Sequence, residues 1–316
     1  DGDPGISAPG CHELLSLTRP EMIADIHRRY LLSGADIIET NTFGANRFAL
    51  AEYGLAGRVR EINRAAALIA RKAVDDIISE TPGRTAFVAG VLGPTGKSAS
   101  FSSSVDDPAH RDHSFNDFKA VYHEQILGLM DGGADLLFIE TVFDTLIAKA
   151  ALSAAQEAFR ERGMILPIMV SATFSDKSRR TLSGQTLEAF VASMSSYDLF
   201  SLGINCSTGA EEMIPLIRDL ARHAPFRTSA HPNAGFPDRH GRYRQTPEEL
   251  AGLLRPLLEE GLLNICGGCC GTTPDHIAAL AKAVNGRRPR PLPERGTALR
   301  LSGWEALVIP PQHQFV

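Results

Sequence analysis

Seven short apolar runs recur along the chain, and longer amphipathic stretches separate them. The runs have the length of single strands and mostly lack polar alternation, which indicates parallel strands that are buried on both faces. They span residues 35–43, 85–94, 134–142, 166–174, 199–206, 226–233 and 262–268. Helical periodicity fills the stretches between them, among them 115–131, 144–162, 185–195 and 247–260. Such a series predicts an α/β fold with a parallel sheet and helices outside it.

A further helical pattern at 20–33 precedes the first of these runs and has no strand before it. An eighth strand within residues 1–19, missing or disguised there, would complete the series. We therefore predict a (β/α)8 TIM barrel whose first strand is missing or truncated in this chain. A doubly wound open sheet is the alternative fold, but no Gly-x-Gly-x-x-Gly turn follows the early runs.

The composition changes near residue 287, where the sequence Arg-Arg-Pro-Arg-Pro-Leu-Pro begins. Closely spaced prolines stiffen a chain in an extended form. We therefore predict one barrel domain at 1–286 and a proline-rich C-terminal linker at 287–316 toward a following domain. No complete helix or strand is expected in residues 301–316.

Charge and hydropathy exclude two classes of partner. The net charge is −5, and Lys and Arg are scattered among acidic residues, so no nucleic-acid partner is expected. No apolar run approaches the roughly 18 residues that a membrane helix needs, so no membrane partner is expected either. The chain has five cysteines, three of them within residues 266–270, which suits reduced thiols in a cytoplasmic protein better than a disulfide framework.

Three of these cysteines lie where predicted strands end. Cys206 closes the run at 199–206, and Cys269 and Cys270 follow the run at 262–268. Active sites of barrels lie at the carboxyl ends of the strands, so three thiolates are expected to meet there. Thiolates suit Zn²⁺, and three protein ligands leave one position open, as in catalytic sites. Such a zinc ion is suited to holding a substrate thiol as the reactive thiolate.

Other interpretations of the cysteines stay open beside this one. Cys269 and Cys270 are adjacent, so they form either a strained vicinal disulfide or a pair of small buried residues if no metal is bound. Cys266 makes a Cys-x-x-Cys pattern with Cys269, but we interpret it as a core residue inside the strand. Cys11 lies in the irregular start of the chain and is assigned no role.

The two cysteine motifs read Gly-Ile-Asn-Cys at 203–206 and Gly-Gly-Cys-Cys-Gly-Thr-Thr-Pro at 267–274. Five more motifs lie at 34–43, 88–94, 139–145, 180–185 and 230–235, and the tail ends Gln-Phe-Val at 314–316. Together these segments resemble the homocysteine S-methyltransferases. More closely, they resemble the N-terminal homocysteine-binding barrel of the cobalamin-dependent methionine synthases. The family's first strand ends in Asp-Gly, whereas Asp1 and Gly2 have no strand before them here, so Asp1 is assigned no role.

The resemblance implies a methyltransferase that methylates the thiol of L-homocysteine and produces L-methionine. The implied cofactors are Zn²⁺ and methylcobalamin, the methyl donor, which is held on another domain. The implied partners are the folate-binding and cobalamin-binding domains of the same full-length enzyme. One alternative is a stand-alone homocysteine S-methyltransferase that uses S-methylmethionine or betaine, against which the tail argues. The other is a non-catalytic, zinc-stabilised barrel that serves as a scaffold, against which the open zinc position argues.

The resemblance also implies roles for single residues. Cys206, Cys269 and Cys270 bind the zinc, and the homocysteine sulfur takes the fourth position. Glu140 binds the substrate's ammonium group; a structural ion pair is the alternative. Asn205 orients the substrate site, unless it is an ordinary loop-capping asparagine. Asn233 lends its side-chain oxygen to zinc when no substrate is bound. His231, two residues earlier, is expected to serve in packing or in support of the ligands.

Overall fold

A computed structural model describes residues 8–174, 178–294 and 296–312. All seven predicted strands are present in it: β1 (Ile37–Glu39), β2 (Phe87–Leu92), β3 (Leu136–Val142), β4 (Ile168–Ala172), β5 (Ser201–Gly209), β6 (Arg227–Asn233) and β7 (Ile265–Cys266). They form one seven-stranded sheet whose strand order follows the sequence. The β1–β2, β2–β3, β4–β5, β5–β6 and β6–β7 pairs are parallel. The α/β class and the parallel sheet are thereby confirmed.

Helices alternate with these strands. They are α1 (Leu15–Thr18), α2 (Pro20–Leu32), α3 (Arg47–Ala51), α4 (Val59–Glu80), α5 (Phe115–Asp131), α6 (Thr145–Arg162), α7 (Leu187–Met194), α8 (Ala210–His223), α9 (Pro247–Glu259) and α10 (Pro274–Val284). In the described part of the chain, none of them has the length and apolarity that crossing a membrane requires.

The predicted eighth strand is not found in residues 8–19. That segment forms a 3₁₀ turn at His12–Leu14 and then α1, because Cys11 and Leu14 turn into a small apolar cluster with Leu50 and Leu55. Residues 1–7, which include Asp1, lie outside the described residues. Closure into an eight-stranded barrel therefore stays a prediction.

The described chain divides into two compact units. The first comprises residues 1–140 and 146–168, and α4 is its central helix. One face of α4 is buried from Val59 to Ile77. Helix α5 packs closely on that face because Gly128 has no side chain: a Cβ there would lie 2.7 Å from the main-chain oxygen of Arg60.

The second unit comprises residues 141–145 and 169–316, and its tail differs from the prediction. Residues 299–309 form an antiparallel hairpin of β8 (Leu299–Ser302) and β9 (Ala306–Ile309), where no complete element was expected. Two hydrogen bonds tie the hairpin to residues far away in sequence: the Gln185 side chain donates to the Gly303 oxygen at 2.9 Å, and the Ser302 hydroxyl donates to the main-chain oxygen of Ala189 at 2.7 Å. Whether 287–316 leads to a further domain stays a prediction.

Candidate metal centre

Cys206 lies on an irregularity of β5, where the chain leaves the strand pleat. The β5–β6 pairing runs to Asn205 opposite His231 and resumes at Gly209 opposite Asn233, with a register shift between them. Within this segment Cys206 and Ser207 have φ angles of 59° and 61°. Non-glycine residues rarely adopt this left-handed conformation, and it costs about 1–3 kcal/mol per residue. This bulge gives the Cys206 sulfur a direction that a regular strand does not provide.

The loop after β7, which carries Cys269 and Cys270, is bonded to the end of β6. The Cys269 N–H donates to the Pro232 oxygen at 2.8 Å, and the Ala234 N–H donates to the Cys270 oxygen at 2.9 Å. The side-chain oxygen of Asn233 accepts a further bond from the Cys270 N–H at 3.1 Å. The end of β6 therefore positions both cysteines of the loop.

The three sulfurs form a triangle that matches a tetrahedral zinc ion. Cys206 and Cys270 have Sγ atoms 3.8 Å apart, and those of Cys269 and Cys270 are 4.0 Å apart. All three lie within 4.8 Å of one another. Zinc–sulfur bonds of about 2.3 Å in tetrahedral geometry place two sulfurs about 3.8 Å apart. The structure thus brings together the three predicted ligands with the spacing that zinc requires.

Protonation of the cluster reflects the closeness of its sulfurs. Hydrogen bonds from Cys206 and Cys269 hold the pKa of Cys270 far below its usual range. The pKa of Cys269 is raised, because it donates hydrogen bonds to Cys206 and Cys270 and lies near their charges. In the absence of a metal ion, the three side chains therefore favour a single thiolate, that of Cys270. A divalent cation is the kind of group that allows all three to ionise together, with release of protons.

Tyr243 belongs to this site, and the sequence analysis missed it. Its ring lies against Gly271, the residue that follows Cys270. Burial and the negative charge at Cys270 raise the pKa of Tyr243, so the phenol keeps its proton at neutral pH. No motif marks this tyrosine, and its contact is visible only after the segment that follows β6 has folded beside the Cys270 loop.

Asn205 is fully buried and binds Thr141 twice. Its Oδ1 accepts from the Thr141 N–H, and its Nδ2 donates to the Thr141 hydroxyl, each at 2.9 Å. Thr141 has a left-handed φ of 55°, and these two bonds stabilise that conformation. The preceding residue is Glu140, whose side chain is buried in β3. Asn205 thus holds the main chain next to the carboxylate predicted to bind substrate.

Three other predicted residues have clear positions. Asn233 is buried and contacts the main chain of Cys270; its proposed bond to the metal stays a prediction. His231 is buried, which lowers its pKa to about 4, and its ring lies against Gly267, as the packing role predicts. Cys266 stands in β7 opposite Ala230 and outside the sulfur triangle.

The alternatives for the cysteines are also resolved. All five cysteines are free thiols, so the vicinal disulfide between Cys269 and Cys270 is not formed. Cys266 is partly buried rather than a full core residue, because β7 is an edge strand that pairs only with β6 among the described strands. Burial still raises its pKa to about 12. Cys11 is buried in an apolar cluster of the first unit, and no role was predicted for it.

Comparison with known proteins places this geometry in context. A family model described as homocysteine S-methyltransferase matches residues 4–284. The structure is similar to the homocysteine methyltransferase MmuM from Escherichia coli, at 26% identity and a TM-score of 0.70 for the metallated form. For the oxidised form the identity is 25% and the TM-score 0.69. Both alignments cover 88% of this chain and 90% of the relative.

Proposed function

Because the chain belongs to the homocysteine S-methyltransferase family, we propose that it is a zinc-dependent enzyme that methylates the thiol of L-homocysteine and produces L-methionine. The zinc ligands are Cys206, Cys269 and Cys270. The single observation that carries this proposal is the triangle of their sulfurs, all within 4.8 Å of one another. A non-catalytic scaffold is disfavoured, because the family is one of methyltransferases.

The ligand set is that of a catalytic zinc site. No fourth His, Cys, Asp or Glu joins the three sulfurs in residues 8–174, 178–294 and 296–312. With three protein ligands, a tetrahedral zinc ion keeps one position for a substrate atom. When the substrate sulfur occupies that position, zinc would keep this sulfur in the thiolate form, which is the nucleophilic one.

The chain's own residues then bind and orient the amino-acid end of the substrate. We assign the homocysteine ammonium group to Glu140, a buried carboxylate near the carboxyl end of β3. Its interaction with a cation in a low-dielectric setting is stronger than a surface ion pair. Asn205 serves as a positioning residue, because it fixes Thr141 and so the direction of the chain at Glu140.

The methyl donor we propose is a small molecule with a positively charged centre, such as S-methylmethionine or betaine. In the reaction a bond forms between the homocysteine sulfur and the methyl carbon, the thiol proton leaves, and the donor centre becomes neutral as its bond to that carbon breaks. The E. coli homocysteine methyltransferase supports a donor that is not carried on a second domain, because the match covers 90% of that enzyme's chain. The stand-alone interpretation is therefore preferred over methylcobalamin on another domain.

Methylcobalamin is the second candidate donor, and the tail is the observation that favours it. Residues after 284 lie outside the family-model match, yet they include the hairpin of β8 and β9, which is hydrogen-bonded to the rest of the second unit through Gln185. A segment of this kind is not needed for zinc binding. The folate-binding and cobalamin-binding domains belong to this second candidate only.

A donor panel tests both candidates. Zinc-loaded protein is incubated with L-homocysteine and trideuteromethyl-labelled S-methylmethionine, betaine or methylcobalamin, and labelled methionine is measured by mass spectrometry. We expect label from one of the two small donors, and none with the Cys206→Ala variant. Label from methylcobalamin alone would reverse the order of the candidates, and no labelled methionine from any donor would reject the proposed reaction.

A further inference from the structure

Gln185 lies in the loop before α7 and binds two segments that are distant from it in sequence. Its Oε1 accepts from the Thr145 hydroxyl at 2.7 Å, and its Nε2 donates to the Gly303 oxygen at 2.9 Å. Because a carbonyl oxygen can only accept, the contact with Gly303 fixes which way the amide faces. Gln185 and Thr145 are both buried. One side chain therefore links the turn of the β8–β9 hairpin to the residue at which α6 begins.

The loop is fixed to the same hairpin on both sides of Gln185. After it, the Thr186 N–H donates to the main-chain oxygen of Trp304 at 3.0 Å. Before it, the Arg180 guanidinium binds the Glu305 carboxylate at 2.5 Å. All these partners belong to the turn between β8 and β9, so the position of Gln185 depends on the hairpin.

Residues 141–145, which lead from the end of β3 into α6, directly follow the carboxylate that we assign to the substrate's ammonium group. The first of them has a left-handed φ of 55°, a conformation that persists only where the surrounding contacts hold it. Asn205 supplies two such contacts at that end. In the middle, the Ser183 N–H donates to the Phe143 oxygen at 3.1 Å, and Gln185 binds the last residue. Loss of the Gln185 contact therefore lets the main chain beside that carboxylate relax.

We propose that Gln185 is a positioning residue for homocysteine, because it ties residues 141–145 to the hairpin and so holds Glu140 in the direction that the ammonium group requires. In the proposed function, on which this role rests, Glu140 binds that group. A charge-assisted hydrogen bond weakens when its geometry is lost. The hairpin, which lies outside the family-model match, thereby takes part in substrate binding. Because coupling between two sites is reciprocal, homocysteine bound at Glu140 also acts on the hairpin.

Two thiols that differ only in the ammonium group, L-homocysteine and 4-sulfanylbutanoate, test this role. Calorimetry on zinc-loaded protein gives the affinity for each. Gln185→Met keeps the size of the side chain and loses both hydrogen bonds, so we expect homocysteine to bind about three- to tenfold more weakly, and 4-sulfanylbutanoate to bind as it does to the wild type. A general loss of structure would weaken both thiols alike.

Variants at Thr145 approach the same hydrogen bond from its other end. Thr145→Val removes the hydroxyl and should reproduce the loss for homocysteine, whereas Thr145→Ser keeps the hydroxyl and should bind both thiols as the wild type does. The double variant Gln185→Met/Thr145→Val should lose less than the sum of the two single losses, because both act through one contact. Gln156→Met, the same substitution at an exposed position of α6, is the matched control and should leave both affinities unchanged.

Trp304, the only tryptophan of the chain, reports on the hairpin from its turn, where the side chain is 75% exposed. We expect homocysteine to change its fluorescence in the wild type but not in Gln185→Met. Unchanged emission in the wild type would overturn the coupling, and so would an unchanged ratio of the two affinities in both Gln185→Met and Thr145→Val. A wild type that binds the two thiols equally would reject Glu140 as the ammonium ligand and the role of Gln185 with it. Protein that shows the expected affinities but methylates no homocysteine contradicts the proposed reaction alone, because neither readout uses a methyl donor.

Discussion

The side-chain oxygen of Asn233 accepts the main-chain N–H of Cys270 at 3.1 Å, so the last residue of β6 holds the loop that carries two of the three sulfurs. In Asn233→Ala this N–H loses its acceptor, which costs about 1–3 kcal/mol. We expect zinc affinity to fall by about five- to a hundredfold, measured by competition with a chelator. Asn233→Asp keeps an acceptor and should lose less.

The same variant separates two roles for Asn233. If its oxygen binds zinc only in the absence of substrate, saturating homocysteine should remove the difference in zinc affinity between Asn233→Ala and the wild type. If it acts through the Cys270 loop, the difference should persist with homocysteine bound. A wild-type affinity in both conditions would exclude both roles.

Cys206→Ala and Cys266→Ser form a matched pair of thiol substitutions. The first removes one corner of the sulfur triangle, whereas Cys266 stands in β7 outside it. We expect large zinc loss for Cys206→Ala, with circular dichroism showing an intact fold, because the metal is not part of the core. Cys266→Ser should keep the full zinc stoichiometry. Zinc loss from folded Cys266→Ser would show that the ligand set is wrong.

Glu140→Gln tests how the substrate is oriented. Loss of a charge-assisted bond to the homocysteine ammonium group costs roughly 1.5–3 kcal/mol, so affinity should fall about ten- to a hundredfold while zinc stays bound. Calorimetry in buffers of different ionisation enthalpy gives the affinity and the number of protons released, which we expect to be about one in the wild type. Unchanged affinity would remove Glu140 from the site; Glu248→Gln, an exposed change, is the control.

The meeting of the strand ends was predictable from the sequence, whereas the backbone and contacts around them were not. Cys206, Cys269 and Cys270 were predicted to meet, because the carboxyl ends of parallel strands lie on one edge of a sheet. The left-handed backbone at Cys206 was not predictable, because residues other than glycine rarely adopt it. The contact of Tyr243 with Gly271 was likewise hidden, because it joins segments that are distant in sequence and have no shared motif.

Long-range contacts also explain why the tail was misjudged. Prolines near residue 290 predict an extended segment, and residues 287–294 form neither helix nor strand. Yet the hairpin of β8 and β9 is hydrogen-bonded to Gln185 and to the main-chain oxygen of Ala189 in α7, contacts that no local pattern reveals. Its isolated strands are short, and a two-stranded hairpin alone is marginal in water.

His27 predicts a loss of stability in mild acid. Burial in α2 lowers its pKa to about 4, from an ordinary value near 6.5. The unfolded chain therefore binds more protons than the folded chain between pH 4 and pH 6.5. The contribution of His27 to the free energy of unfolding is complete above pH 6.5 and falls as the pH drops toward 4. The contribution of this residue reaches about 3 kcal/mol. Urea titrations at pH 7 and pH 5 should show a smaller loss for His27→Leu than for the wild type.

The exposed His240 provides the control for this prediction, because His240→Gln should leave the pH dependence as it is in the wild type. If His27→Leu loses as much stability between pH 7 and pH 5 as the wild type does, the buried imidazole is not a source of the acid sensitivity.

Arg290 predicts that the segment after 286 contributes to the stability of the second unit. Its side chain is buried and donates to main-chain oxygens of Ala221, Ala224 and Phe226, at 2.6–3.0 Å. In Arg290→Ala these carbonyl groups lose their donors, and we expect the free energy of unfolding to fall by about 2–4 kcal/mol. Arg288→Ala, an exposed change two residues earlier, should alter it by less than about 0.5 kcal/mol. Urea unfolding at neutral pH measures both, and equal stabilities for the two variants would mean that residues 287–290 behave as the free linker that their composition predicts.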